Sequence, residues 1–152
     1  RSTLFPYTTL FRSDKVDNMS YSDYIDCLSL QVILEVDDLT IRARKDFDDD
    51  LAIILKSYIY RNKPVFTNKL LFKDYYAPFF EYATDKKSAL DLIEYVNNKW
   101  YIRSSGFYWY ESHVRMGDIY AGYWCYIASA LLKMKKDLDK VSNSDHYIVG
   151  KE

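Results

Sequence analysis

Between Tyr21 and Val36 the chain runs through CLSLQVILEV, whose spacing is that of a helix apolar on more than one side. Such a helix has no face to give to water, so neighbours must cover it and it is expected at the centre of the fold. The rest of the sequence offers those neighbours. Phe47, Leu51, Ile54, Leu55, Tyr58 and Ile59 recur at i, i+4, i+7 and i+8 and predict a second helix, broken or continuous, ending near Tyr60 with this stripe inward. Asp37 or Asp38, in the VDD that ends the first helix, is expected to accept from its free amides.

Pro64 in RNKPVF breaks the pattern, and a short, aromatic, irregular helical stretch follows through LLFKDYYAPFFEYA. Thr84 or Asp85 is expected to cap the next helix, with Ala89, Leu92, Ile93, Val96 and Trp100 as its inward stripe and RSSGF as its end. YWYESHVRMG reads as an aromatic connector. A last helix is predicted from Asp118 to about Lys136, with Ile119, Tyr123, Tyr126, Ile127, Ala130, Leu131 and Met134 inward. Lys133, Lys135 and Lys136 fall where the helix dipole favours cations. Counts of 16 Tyr, 8 Phe and 3 Trp against 4 Gly and 3 Pro suit helices packed on helices, with tyrosine hydroxyls reaching the surface. Every regular element reads as helix, which predicts an all-α single domain of about five to seven helices.

The first residues do not fit this picture. RSTLFPYTTLFRS has no helical or alternating period, and it lacks the basic start and long apolar run of a signal peptide. Thr3 to Ser13 is, in order, the translation of a common short-read sequencing adapter, and Arg1-Ser2 is the end of a tandem copy. Residues 1–13 are therefore expected to be a disordered artefact and 14–152 the helical domain, on a fragment whose upstream part was lost at the junction. On this reading the gene fragment begins at or after Asp14, and Met19 is a candidate start. Without Arg1 and Arg12 the formal charge moves from −1 to −3, which argues against a general nucleic-acid binder.

No segment approaches the apolar length of a membrane span. Cys27 and Cys125 lie far apart in apolar patterns and read as buried free thiols in a reducing cytosol. The sequence holds no Gly-rich phosphate loop, no HExxH and no nucleophile elbow, and His113 and His146 are not spaced as a metal pair. Neither a catalytic centre nor a cofactor nor a metal is expected.

One surface feature suggests binding. In RKDFDDDLAII, Asp46, Asp49, Asp50 and Ile53 fall together at 100° per residue, and Ser57 and Tyr60 extend that face. An isoleucine and a tyrosine framed by carboxylates have the form of a partner-binding patch, apolar at the centre and charged at the rim. The alternative is that the aspartates solvate the helix start while Ile53 packs on a neighbouring helix.

The C-terminal part, NKWYIRSSGFYWYESHVRMGDIYAGYWCYIASALLKMKKDLDK, resembles the C-terminal domain of the PoNe immunity protein (PoNi) family. The resemblance is carried by Trp100-Tyr101, Trp109-Tyr110, then Tyr120, Gly122, Tyr123 and Trp124 opening the last helix, and by Lys133 to Asp139. Upstream, LSLQVILEVDDLTI is similar to the family's leucine-rich helix and acidic cap, so the likeness runs from about Asp23 to Tyr147. Two places depart from the pattern: Ile127 stands where a Glu is usual, and the closing stretch is SDHYIVGKE. The resemblance implies a cytoplasmic bacterial immunity protein, without cofactor, that neutralises a PD-(D/E)XK-type DNase toxin of interbacterial competition. It implies no direct contact with nucleic acid or membrane. A helical interaction module with a non-toxin partner is the other reading, separated from the first by the neighbouring gene.

Overall fold

The computed structural model describes residues 18–36, 46–115 and 123–149, and every regular element among them is helical. Helix α1 (Asn18–Leu34) is the central rod, packed along α7 (Tyr126–Met134) and against α2 (Asp50–Tyr60). Its two-sided apolar pattern is the cause: Tyr21, Ile25, Leu28 and Val32 all enter the core. Helix α3 (Lys73–Ala83) packs on α4 (Ala89–Tyr95) and α7 and closes the other side. The two cysteines are free and buried, and burial pushes the Cys27 thiol up to about 12.

Helix α4 begins at a reciprocal capping box. The Ser88 hydroxyl accepts from the Asp91 amide at 3.1 Å, and the Asp91 carboxylate accepts from the Ser88 amide at 2.9 Å. Neither Thr84 nor Asp85 caps it, because the chain still turns after α3 and Asp85 sits at φ 64°. The predicted stripe Ala89, Leu92, Ile93, Val96 and Trp100 is buried throughout. The rod widens to a π turn at Val96–Trp100 and returns to α5 (Tyr101–Arg103), ending at RSSGF as expected. Pro78 inside α3 can give no amide to the Asp74 carbonyl one turn earlier. Arg103 supplies the missing donor, its Nη2 lying 2.7 Å from that carbonyl.

The connector holds a short helix, α6 (Ser112–Arg115). Residues 116–122, which include Ile119, Tyr120 and Gly122, lie outside the described residues, and the described part of the last helix is α7. Trp124 therefore precedes the helix, and it is 41% exposed rather than turned to the core. The non-helical backbone there turns Cys125 inward instead, with its amide donating to the Tyr147 carbonyl at 2.8 Å. At the far end of α7 the Lys133 ammonium donates to the Ile33 carbonyl at 2.7 Å and pairs with Glu35, satisfying the end of α1.

Candidate interaction surface

Five residues were expected to share an exposed face: Asp46, Asp49, Asp50, Ile53 and Tyr60. The structure separates them. Asp46 is exposed, and Tyr60 is 59% exposed, while Ile53 is half-buried. Asp49 and Asp50 are only 1% and 5% exposed, so the charged rim is not built as expected. The physical reason is that α2 starts at Asp50, which leaves Asp49 as its N-cap. A capping carboxylate folds back over the first turn rather than pointing outward.

Asp49 accepts from the Ala52 amide at 3.2 Å, the Tyr21 hydroxyl at 2.6 Å and the Leu71 amide at 3.0 Å. Asp50 accepts from the Thr67 amide at 2.7 Å and its hydroxyl at 3.0 Å, while its own amide donates to the Lys69 carbonyl at 2.7 Å. The two aspartates thus clamp the segment after α2 against the start of that helix. The Asp37 or Asp38 cap expected for α2 falls outside the described residues, and Asp49 holds that position. Tyr58, expected inward, is exposed.

Asp46 and Asp48 flank Lys56 at 2.7 and 2.8 Å, and the Tyr24 hydroxyl donates to Asp46. Partial burial works to raise Asp46, but Lys56 and Tyr24 hold it below the usual carboxylate range. Burial likewise works against the Lys56 charge, and the two carboxylates with Tyr24 hold it above the usual lysine range.

The family-like residues form an aromatic cluster of their own. Trp100 stacks on Trp109 with ring centroids 5.4 Å apart and meets Tyr147 at 5.3 Å. Tyr101 lies 4.7 Å from Tyr123 and stacks on Tyr110 at 4.6 Å. Trp109 reaches Tyr123 at 5.8 Å. Trp100, Tyr101, Trp109 and Tyr123 therefore come together, and Trp124 is 41% exposed. Between α3 and α4 runs a half-open groove of about 310 Å³ bordered by Pro78, Glu81, Lys87, Glu94, Tyr95 and Lys99. The buried Tyr95 hydroxyl has no hydrogen-bond partner among the described residues, and burial pushes it up to about 12.

The described residues hold no cluster of three His, Cys, Asp or Glu side chains placed for a metal. No described helix is long and apolar enough to cross a membrane. What the sequence did not reveal is the strap from Tyr60 to Lys69, exposed at every residue yet pinned by Asp49 and Asp50. Its only sequence signal was the break at Pro64.

Fold and surface together define the class: a small all-α domain that presents ordered surface from a tightly packed aromatic core. The model of the PoNe immunity proteins (PoNi), C-terminal, matches residues 48–149, and the chain belongs to that family. It is thus an immunity protein, and its partner is a toxin protein. No curated protein and no solved structure matches the chain.

Proposed function

We propose that this chain binds and neutralises a DNA-degrading toxin of the PD-(D/E)XK type, used in competition between bacteria, inside the cytoplasm of the cell that makes it. The observation that carries the reading is the family match over residues 48–149. The surface supports it. A nuclease must attract phosphates and is basic where it does so, and a chain of net charge −1 with exposed Glu35, Asp46, Asp48 and Asp85 meets it with the opposite sign. Neutralisation of this kind needs no cofactor, only a surface that excludes the substrate or fixes the toxin in one shape. Asp46, Ile53 and Tyr60 are assigned to that contact, while Asp49 and Asp50 act by holding the backbone beside them.

The test is co-expression with the product of the adjacent toxin-like gene. The pair should co-purify, and adding the chain in equimolar amount should abolish cleavage of duplex DNA. A toxin that keeps cutting DNA beside an excess of folded chain would end the reading.

A further inference from the structure

We propose that the strap from Tyr60 to Lys69, with Lys73 just beyond it at the start of α3, makes a second contact with the toxin beside the acidic one above, and that it seats on a protein surface of carboxylates around an apolar hollow; this rests on the immunity reading above. Residues 60–69 are all exposed, and Val65, 79% exposed, projects at their middle with Phe66 beside it. Arg61, Lys63, Lys69 and Lys73 follow one another with no acidic residue among them. None of these cations joins an ion pair among the described residues, whereas Lys56, Lys133, Lys135 and Lys140 each hold a carboxylate. The strap is thus a basic rim around an apolar tip on a protein that is otherwise mildly acidic.

Its shape is set before any partner arrives. Arg61 sits at φ 56° and closes α2, with its amide on the Tyr58 carbonyl and the Asn62 amide on Ser57. Asn68 sits at φ 60°, and Asp49 and Asp50 hold Thr67, Lys69 and Leu71 as described. Phe66 leans edge-on against Phe80, 6.4 Å between centroids. An ordered apolar centre with charges around it is the form of a protein contact, and the sign of those charges demands carboxylates opposite, since like charges facing across a contact are costly. Duplex DNA fits less well. Asp74 directly follows Lys73 in sequence, and Val65 and Phe66 offer nothing to a phosphate.

The experiment measures binding kinetics of the full chain to the toxin encoded in the adjacent reading frame, at several salt concentrations, beside a titration with duplex DNA. Val65→Asp should weaken toxin binding at least about tenfold, chiefly through faster dissociation. Lys63→Glu with Lys69→Glu should slow association several-fold and flatten its salt dependence. Each variant is checked by thermal melting, and Val65→Ser replaces Val65→Asp if the latter loses its fold. Folded variants that bind the toxin as the parent does would overturn the strap proposal and leave the immunity reading standing. A parent chain that binds no toxin removes both. Duplex binding that the lysine pair abolishes, with toxin binding untouched, makes the strap a phosphate contact and also overturns the proposal.

Discussion

The Tyr21 hydroxyl donates to the Asp49 carboxylate across 2.6 Å and so ties the central helix to the N-cap of α2. Both groups are buried, and burial first, then the neighbouring carboxylate, holds the phenol far above its ordinary range, where it remains a donor. Asp49→Ala would strand three donors at once: Tyr21, the Ala52 amide and the Leu71 amide. At about 1–3 kcal/mol for each buried group left unsatisfied, the loss should reach about 3 kcal/mol or more in urea unfolding. Tyr21→Phe should cost about 1.5–3 kcal/mol, the range for a bond to a charged group. A double-mutant cycle should show the two coupled; strictly additive losses would mean the bond contributes nothing.

The tryptophans should separate cleanly. Trp100 is 3% exposed and stacked on Trp109, so Trp100→Ala should cost about 3–5 kcal/mol by the loss of packing and the cavity left behind. Trp124 stands at the surface, and Trp124→Ala should cost less than about 1 kcal/mol. Equal losses in calorimetry would contradict the placement of Trp124 outside the core.

Acid stability should depend on Asp137. Its carboxylate accepts from the Tyr82 hydroxyl at 2.6 Å and from Lys140 at 2.9 Å, and these bonds hold it below the ordinary carboxylate range. A carboxylate depressed in the folded state stabilises above its unfolded value, near pH 4, and that contribution fades as pH falls through the lower folded value. Asp137→Asn should therefore be less stable than the parent at pH 7, and the gap should narrow below about pH 4. A gap that widens with acid would reverse the assignment.

Residues 1–13, expected to be foreign to the fold, lie outside the described residues. Their removal should leave the melting temperature within about one or two degrees, the size of an ordinary surface change. A drop of several degrees would make them part of the folded unit.

What the sequence disclosed follows from which physics is local. The stripe from Ala89 to Trp100 was legible because burial of one helical face imposes its period on the residues themselves. Asp49 and Asp50 were misplaced because a helical wheel assumes a helix that extends past both residues. One that begins at Asp50 turns the same carboxylates into a cap and a clamp. Trp124 was read as opening the last helix, whereas α7, as described, starts two residues later at Tyr126. The strap was invisible because its order comes from residues far along the chain, Thr67 to Asp50 and Leu71 to Asp49, which no local period records.

That clamp separates two kinds of position. The bonds that hold residues 61–71 run through the backbones of Arg61, Asn62, Thr67, Lys69 and Leu71, with the Thr67 hydroxyl as the side-chain member on the strap. Lys63 and Val65 contribute no side chain to those bonds or to the core. Their chemistry is free to drift while the helices beneath keep the same packing. A lineage facing a changed toxin could alter what this ridge fits by single substitutions, each nearly neutral for folding. Fold and recognition are then answerable to different residues, and selection can act on one without disturbing the other.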